Sequence, residues 1–376
     1  MPLPCSLVGA SRGFLLGFAM WKIAAYVKRR FFTRNVRIWM DGVYDLMHYG
    51  HANAFRLGKN VGTYLIVGIN DDDSVAQCKG PPVMSSYERE ASVRACRWVD
   101  DVVSNVPYIM SDDYVRYIIR RYRIDYIVHG DDPCLVDGRD VYESARALGK
   151  YHTISRTEGV STSDLLSRML MAFPKQNEGG APLPLSTKSK FMATSHLIRQ
   201  FSKSCPEISG QSRVVYVDGA WDLFHAGHAE FLKTAATFGD YLIVGVHSDI
   251  LVHARRGSGH PILSMSERAL SVLSCKYVDD VVFDAPWSIS HEMIGQFKIS
   301  AVVRGTIRSS YCVKADLEDP YEVPKLLNIF HCVTSSSLLN VQNILDRVHS
   351  KHEHFSKRMV KKMQDENGYY KRRYNI

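Results

Sequence analysis

Short apolar runs rich in β-branched residues alternate along the first half of the chain with longer segments that fit amphipathic helices. The strand-like runs are residues 36–40, 64–69, 102–103 and 126–129. The helix-like segments are residues 52–60, 87–95 and 112–121. This alternation predicts βαβ crossovers and a parallel sheet covered by helices on both faces. Ligands of such sheets bind beyond the carboxyl ends of the strands, where the strand order reverses.

The same pattern returns in the second half of the chain. The stretch DGVYDLMHYGH begins at Asp41 and returns as DGAWDLFHAGH, beginning at Asp218. The strand-like YLIVG that follows it at Tyr64 returns at Tyr241, with the same spacing between the two occurrences. A repeat of this length that keeps two histidines and two aspartates in register is not a chance match to a short motif. The chain is therefore predicted to be duplicated.

Five segments follow from the duplication. The two predicted domains are residues 36–173 and residues 213–347. Residues 174–212, rich in Gly, Pro, Ser and Lys, are predicted to be the linker between them. Residues 1–35 form an N-terminal extension, and residues 348–376 form a basic tail that is expected to be helical. For the tail we favour a solvated terminal helix over an amphipathic, lipid-binding helix.

Composition agrees with this organisation. The chain has 376 residues, of which 45% are hydrophobic and 23% charged, and it is long enough for two globular domains. The net charge of +8 comes largely from basic residues near the two ends, and no nucleic-acid-binding module is recognisable, so a nucleic acid is not expected as partner. The eight cysteines include no C-x-x-C pair, which favours reduced thiols over a disulfide framework or a zinc site.

The N-terminal extension contains an apolar segment with basic flanks. Residues 14–27 are apolar apart from Lys22, with Arg12 before them and Lys28-Arg29-Arg30 after them. A full membrane span needs about 20 apolar residues. We therefore predict a marginal or interfacial membrane anchor on the cytosolic face of an intracellular membrane, the endoplasmic reticulum or the mitochondrial outer membrane. The alternative is a disordered extension or transit peptide, which would leave the protein cytoplasmic.

The histidine motif carries the candidate chemistry. His48 and His51 lie between a predicted strand and a predicted helix, three residues apart, so their rings can face one side. Gly50 lets a phosphate approach the backbone, and a helix N-terminus there offers free N–H groups and a positive dipole end. A lone histidine at a turn is usually a surface or capping residue. Two in one motif, repeated in the chain, favour a site that binds the phosphates of a nucleotide.

These motifs resemble those of the cytidylyltransferase family. The histidine motif and YLIVG are followed by KGPPVM from Lys79 and by RTEGVSTSD from Arg156. The duplication with a linker resembles the ethanolamine-phosphate members in particular, over about residues 36–347. The resemblance implies an α/β fold of two tandem Rossmann-like nucleotidyltransferase domains. It also implies direct in-line attack of phosphoethanolamine on the α-phosphorus of CTP, giving CDP-ethanolamine and pyrophosphate in phosphatidylethanolamine biosynthesis. Mg²⁺ would be carried by CTP, with no protein-ligated metal.

The same resemblance implies roles for residues of the first copy. His48 and His51 would stabilise the pentacoordinate α-phosphorus, Lys79 would neutralise charge between the two phosphate groups, and Arg156 would bind phosphate from the far side. Taken alone, a Lys-Gly in a loop is usually solvated, and the serines before Asp164 could simply cap a helix. The implied CTP-binding residues are Asp41, Gly42, Val43, His48, Gly50, His51, Lys79, His129, Gly130, Asp131, Arg156, Val160, Ser161, Thr162 and Ser163.

The ammonium group of the acceptor requires an anionic or aromatic pocket. Tyr108, Asp132 and Tyr142 are the candidates, through cation–π contact and ion pairing. Tyrosines at such positions are as often part of the core as of a pocket.

The second copy departs from the pattern. It keeps the histidines, but RTEGVSTSD has become HCVTSSSLLN from His331, without the arginine. We expect the first copy to carry turnover, and the second to be structural, regulatory or a residual CTP site. Residues implied for that site are Ala220, Trp221, His225, Ala226, Gly227, His228, Arg256, Arg304 and Gly305.

Three alternatives remain open at this point. Choline-phosphate cytidylyltransferases share the motifs, but they have one catalytic domain followed by a long amphipathic helix, which the duplication disfavours. Enzymes that use glycerol-3-phosphate resemble a single short copy. A non-catalytic nucleotide sensor tethered to membranes is a different class, disfavoured because the first copy retains each phosphate-binding residue. The sequence is also compatible with a homodimer.

Overall fold

The structure is a computed structural model that describes residues 35–131, 134–136, 139–172, 194–202, 212–307 and 319–360. Contacts divide the chain into a unit that ends at Val36 and a unit that begins at Arg37, and both copies fall in the second unit. The predicted N-terminal anchor lies outside the described residues. Within the described ranges, no helix is long and apolar enough to span a membrane.

The first copy is built on a five-stranded parallel sheet in the order β3-β2-β1-β4-β7. The strands of this sheet are β1 Arg37–Gly42, β2 Tyr64–Asn70, β3 Asp101–Val106, β4 Tyr126–Gly130 and β7 Tyr151–Ile154. Two further strands, β5 Leu135–Val136 and β6 Arg139–Asp140, form a small antiparallel hairpin. The sheet grows from β1 in both directions, so the strand order reverses between β1 and β4. A ligand of such a sheet is expected beyond the carboxyl ends of these two neighbouring strands.

Helices connect the strands of the first copy. They are α1 Tyr49–Val61, α2 Asp72–Lys79, α3 Ser86–Arg94, α4 Asp112–Tyr122, α5 Glu143–Ala147 and α6 Thr162–Ala172. Side-chain caps explain where several begin: Asp71 caps α2, Ser111 caps α4, and Ser85 forms a capping box with Glu88 at α3. The four predicted strands and three predicted helices of this half are confirmed, with small shifts in their bounds. Helices α2 and α5 and strands β5, β6 and β7 were not predicted.

The second copy repeats this arrangement with the sheet order β10-β9-β8-β11-β12, all parallel. Its strands are β8 Val214–Gly219, β9 Tyr241–Val246, β10 Asp280–Phe283, β11 Ile299–Gly305 and β12 Phe330–Val333. Its helices, with the preceding α7, are α7 Thr194–Phe201, α8 Ala226–Ala235 with a 3₁₀ turn at Ala236–Phe238, α9 Asp249–Arg256, α10 Met265–Leu273, α11 His291–Phe297, α12 Glu322–Leu326, α13 Val341–Ser350 and α14, residues 352–360. The α/β class and the tandem arrangement are therefore confirmed.

The two copies pack against each other with pseudo-two-fold symmetry. Cys96 forms an antiparallel β-bridge with Cys275, its counterpart in the second copy. On either side of it, the amide of Arg97 donates to the Ser274 carbonyl and the amide of Lys276 donates to the Ala95 carbonyl, both at 2.8 Å. Helix α3 packs on α8, and α1 packs on α10. Such an isologous contact is typical of a symmetric dimer, here formed within one chain.

The tail contains helix α14, which is partly buried. Phe355 is fully buried and Met359 is 2% exposed, and these residues lie one helical turn apart on α14. The expectation of a solvated terminal helix is therefore wrong for residues 352–360. The remaining tail residues lie outside the described part of the chain.

Candidate active site

Two stacked imidazoles stand at the N-terminus of α1. The ring centroids of His48 and His51 are 4.0 Å apart, and their planes differ by 26°. His48 Nδ1 accepts a hydrogen bond from the amide of Gly50 at 3.1 Å, and His51 Nδ1 accepts one from the amide of His48 at 3.4 Å. A ring nitrogen that accepts carries no proton, so each neutral imidazole has its proton on Nε2. Both histidines are thus prepared to donate from Nε2.

Charge at this site comes from neighbouring cations. Burial, with Lys79 and Arg156 close by, lowers the pKa of His51 to about 4. At neutral pH this imidazole is an uncharged hydrogen-bond donor, and the lysine and the arginine supply the positive charge. The structure therefore brings together the four residues predicted to be catalytic, although they come from three separate segments of the chain.

The loop before the histidines has a strained backbone. Tyr44 and Leu46 have φ values of 51° and 47°, a left-handed conformation that bulky residues rarely adopt. Gly50 is required for a different reason: a Cβ there would lie 2.7 Å from Val160 Cγ1 and 2.9 Å from the His48 ring. Val160 therefore packs where only a glycine fits, which holds the segment that carries Arg156 against the histidine motif.

Hydrogen bonds fix the Arg156 segment in the same place. The amide of Arg156 donates to Asp131 Oδ1 at 3.1 Å, which links it to the end of β4. Asn53 on α1 donates to Thr157 Oγ1 at 2.8 Å. The segment is thus tied both to the sheet and to the helix that follows the histidines.

The serines and the threonine after it have mixed roles. Ser161 Oγ accepts the amide of Asp164 at 3.1 Å, so Ser161 does cap α6. Thr162 Oγ1 donates to the Asp45 carbonyl at 3.1 Å. Capping occupies the hydroxyl oxygen of Ser161 but leaves amides of the first turn of α6 available to a ligand. Phosphate binding by these residues and by Ser163 therefore stays a prediction.

Lys79 ends a helix instead of lying in a loop, which corrects the sequence interpretation. The reason is that Asp71 caps the polar run that follows β2 and Gly80, with φ 83°, ends it. Lys79 Nζ lies 5.0 Å from the ring centroid of Tyr108. Tyr108 is 6% exposed, and its amide donates to Ser74 Oγ. The lysine is therefore placed by the tyrosine.

A buried polar group lies beneath the site at the ends of β1 and β4. Asp41 accepts hydrogen bonds from Tyr142 Oη and from Trp39 Nε1, both at 3.2 Å, and burial raises the pKa of Asp41. The ring of His129 lies 4.7 Å from that of Tyr142. The Tyr142 hydroxyl is thus engaged with Asp41 within the core. Asp132, the third candidate for the acceptor pocket, lies outside the described residues.

The second copy reproduces most of this geometry around its own histidines, except that His225 Nδ1 accepts no hydrogen bond within the described residues. The centroids of His225 and His228 are 3.9 Å apart, and the amide of His225 donates to His228 Nδ1 at 3.3 Å. Tyr321 Oη donates to Asp218 at 2.7 Å, as Tyr142 does to Asp41. The other residues implied for this site fall at corresponding places: Ala220 and Trp221 after β8, Ala226 and Gly227 in the first turn of α8, Arg256 at the end of α9, and Arg304 and Gly305 at the end of β11.

The surroundings of the second histidine pair are more aromatic. Phe224 stacks on His228 at 5.5 Å, and the Trp221 ring lies 5.4 Å from it. Burial, with His225 and Arg256 nearby, lowers the pKa of His228 far below its ordinary value. Alignment of β7 with β12 puts Ser335 where the first copy has Arg156. The arginine that was predicted to bind phosphate is thus replaced by a residue with a hydroxyl group.

Comparison with known proteins identifies the family. The sequence profile of the cytidylyltransferase-like family matches residues 39–168 and again residues 216–369. The chain belongs to the cytidylyltransferase-like family. Both copies carry the match, so the duplication predicted from the repeated motif is a duplication of this cytidylyltransferase fold.

Two ethanolamine-phosphate cytidylyltransferases match most of the chain, whereas a choline-phosphate cytidylyltransferase matches about a third of it. The ethanolamine-phosphate cytidylyltransferase of Arabidopsis thaliana is 40% identical over 90% of this chain and 86% of its own length. That of Dictyostelium discoideum is 41% identical over 83% of this chain and 90% of its own length. Choline-phosphate cytidylyltransferase A of Rattus norvegicus is 40% identical, but over 36% of this chain and 37% of its own length. The predicted resemblance to the ethanolamine-phosphate cytidylyltransferases is confirmed.

Two buried residues that shape this cytidylyltransferase site were assigned no role from the sequence. Arg89, 1% exposed, donates to the carbonyls of Val43 and Asn70 and to Asp72. Asp45 accepts the amides of Val83 and Met84, both at 2.9 Å. They tie the strained loop to β2 and to the segment that follows Lys79. The signal that could have revealed them is their repetition as Arg268 and Asp222, which make the matching bonds.

Proposed function

We propose that this cytidylyltransferase transfers CMP from CTP to phosphoethanolamine, giving CDP-ethanolamine and pyrophosphate in phosphatidylethanolamine biosynthesis. The observation that carries the proposal is the first-copy imidazole pair, in which a backbone amide engages each Nδ1 and thereby keeps the proton of each ring on Nε2. Similarity to ethanolamine-phosphate cytidylyltransferases over both copies supports the choice of acceptor.

The reaction needs no covalent intermediate. An oxygen of the phosphoethanolamine phosphate attacks the α-phosphorus of CTP, and the bond from that phosphorus to the bridging oxygen of pyrophosphate breaks. Charge grows on the equatorial oxygens of the α-phosphorus in the transition state. Nε2–H groups of His48 and His51, already oriented by their own backbone contacts, stabilise that charge without reorganisation.

Lys79 and Arg156 act as the cations of this scheme. Both lie close enough to His51 to lower its pKa, so a triphosphate beside that imidazole would meet both charges. The lysine, beside Tyr108, approaches from the α2 side, and the arginine approaches from the segment between β7 and α6. Two like-charged phosphate groups must come together in the reaction, and cations on either side offset their repulsion.

Magnesium would enter with CTP. Among the described residues, no three His, Cys, Asp or Glu side chains form a group that could hold a metal ion. The groups around the histidines are cations and amide donors, which suit phosphate oxygens. When bound, Mg²⁺ would neutralise charge on the triphosphate.

The remaining assignments are part of the same proposal. The acceptor ammonium lies near Tyr108, Asp132 and Tyr142, the domains have the bounds given from the sequence, and the second copy is structural, regulatory or a residual CTP site. Residues 1–35 hold the protein at a membrane surface. A homodimer is the assembly that we would test for by light scattering.

One assay tests the proposal. Purified protein is incubated with Mg²⁺, CTP and either phosphoethanolamine or phosphocholine, and pyrophosphate release is measured. We expect release with phosphoethanolamine and far less with phosphocholine. Faster release with phosphocholine would make the choline enzyme the correct assignment, and release with neither acceptor would favour a nucleotide sensor.

A further inference from the structure

The C-terminal helix α14 belongs to the second half of the chain in sequence but packs on the first copy. Just before it, Arg347 on α13 makes a bidentate ion pair with Glu88, at 2.7 and 2.8 Å, and reaches the Val83 carbonyl. On α14 itself, the His354 ring lies against Gly80, where any Cβ would collide with it. The helix therefore rests on the segment that directly follows Lys79.

Arg358, one turn beyond His354, carries a buried guanidinium nitrogen. Its Nη1 has no hydrogen-bond partner within the described residues. Burial raises the pKa of both Asp45 and Tyr108, and the positive charge of Arg358 offsets part of each rise. The guanidinium is thus close to both groups. A buried N–H donor without a partner is costly, and it calls for a ligand.

Its position relative to Lys79 indicates which ligand. Tyr108 lies 5.0 Å from Lys79 Nζ, and Asp45 holds the amides of Val83 and Met84, shortly after that lysine. Asp45 accepts these two amides, and the buried Nη1 of Arg358 donates no hydrogen bond to it. Arg358 therefore faces the same region as the lysine that we assign to the phosphates, and a guanidinium is well suited to bind phosphate oxygens.

The repeat gives Arg358 no arginine counterpart. Arg347 and Glu88 correspond to Arg168 and Glu267 in the repeat, and the latter two pair in the same bidentate way. In that alignment Arg358 corresponds to Gly179 in the linker. The two ion pairs are thus symmetric, whereas Arg358 is present only beside the pair that Arg347 and Glu88 form.

We propose that Arg358 is a phosphate-binding residue of the first-copy site, so that the C-terminal helix of the second half completes the site of the first. The phosphate belongs either to CTP or to the acceptor. This inference rests on the proposed function for the identity of those two ligands.

The test compares Arg358→Gln and Arg358→Lys with Lys357→Gln in the full chain. Lys357 is the matched control because it lies next to Arg358 on the same helix, carries the same charge and is 77% exposed. Calorimetry gives the affinity for CTP without acceptor, and steady-state kinetics gives KM for CTP and for phosphoethanolamine. A charge-assisted hydrogen bond lost from a partly buried site corresponds to about a tenfold weakening.

We expect R358Q to weaken binding about tenfold for one of the two substrates, R358K to recover part of it, and K357Q to match the wild type. Weakened CTP affinity would assign the phosphate to the nucleotide, and a higher KM for phosphoethanolamine alone would assign it to the acceptor. If the CTP affinity and both KM values of R358Q lie within about twofold of the wild-type values, the proposal is overturned. This holds even if R358Q has a lower melting temperature, because Arg358 would then contribute only to packing.

Failure of the proposed function gives a different result. In that case the wild-type protein forms no product from phosphoethanolamine, while the affinity for CTP still reports on Arg358. If instead the wild type turns over normally and R358Q does too, the function stands and the role of Arg358 does not.

Discussion

Trp221 and Leu223 of the second copy adopt the same left-handed backbone as Tyr44 and Leu46 of the first, with φ values of 56° and 46°. The copies also share the stacked histidine pairs, the buried arginine behind them and the tyrosine bonded to the strand-end aspartate. Most of the architecture around the imidazoles is therefore shared, but the amide bond that Gly50 makes to His48 Nδ1 has no counterpart at His225 Nδ1 among the described residues.

The copies differ in what surrounds those imidazoles. Arg156 in the first has Ser335 as its counterpart, and His129 has Arg304, which lies 5.1 Å from the Tyr321 ring. Aromatic side chains lie on two sides of His228. The second copy keeps the scaffold and loses a cation on the side where Arg156 would meet the triphosphate. Two domains can thus share a fold without sharing a function, because function depends on the few side chains that contact the ligand.

The largest test of this contrast removes one imidazole from each copy. His48→Ala takes away a proposed transition-state donor, and donors of this kind contribute about 10² to 10³ in kcat. We expect His48→Ala to lose at least that much turnover, and His225→Ala to lose less than about threefold. Pyrophosphate release by each purified variant is the measurement, with circular dichroism to verify folding. Equal losses in two folded variants would overturn the unequal division of labour.

The sequence pattern and its repetition were enough to predict four of the five strands of the first sheet, their parallel arrangement and the tandem fold. Alternation of β-branched runs with amphipathic segments reports burial directly, because a strand covered on both faces must be apolar throughout. Helix α2 was missed because its first turn, with Asp72, Asp73 and Ser74, is polar and resembles a loop until the Asp71 cap is known.

The candidate site was predictable only in part. His48 and His51 are local to one motif, so their spacing was informative. Arg89 and Asp45 act through backbone groups far away in sequence, and no local pattern reveals such partners. The docking of α14 was likewise hidden, because a basic helix carries no sign of where it packs. Phe355 and Met359, one turn apart, were the local indication that one face is covered.

A smaller effect separates the two ion pairs that join the copies. Arg168 pairs with Glu267 and Arg347 with Glu88, and the first pair is less exposed, with side chains at 24% and 7% against 38% and 14%. We expect Arg168→Ala to reduce the free energy of unfolding by about 2 kcal/mol and Arg347→Ala by about 1 kcal/mol, since exposure weakens an ion pair. Urea denaturation measures both.

Kinetics distinguishes these variants further. Arg347 holds the Val83 carbonyl beside the segment that follows Lys79, whereas Arg168 contacts the corresponding Ile262 carbonyl in the second copy. Arg347→Ala should therefore raise KM for CTP a few-fold, and Arg168→Ala should leave it unchanged. A rise in KM only for the Arg168 variant would place the working nucleotide site in the second copy.

The smallest expected effect is on the pH dependence of stability. The pKa of His51 is lowered to about 4, that of His225 to about 3, and that of His228 further, burial being the first cause in each. Between the unfolded pKa of about 6.5 and these folded values, the unfolded chain binds more protons than the native one. These histidines therefore reduce stability as pH falls from about 6.5 towards 4, by up to about 1.4 kcal/mol per pH unit each.

The variants His51→Gln and His228→Gln measure this pH dependence of stability separately for the first and the second copy. Burial raises the pKa of Asp41 and of Asp218, which contributes with the opposite sign, so only the difference in slope between a variant and the wild type is interpreted. We expect each variant to lose less stability between about pH 6.5 and pH 5 than the wild type, measured by urea denaturation at each pH. Saturating CTP should abolish the difference in slope between His51→Gln and the wild type, because the negative charge of a bound triphosphate raises the pKa of His51 towards its ordinary value. The difference in slope between His228→Gln and the wild type should remain. A CTP effect on the slope of both would mean that the second copy still binds nucleotide.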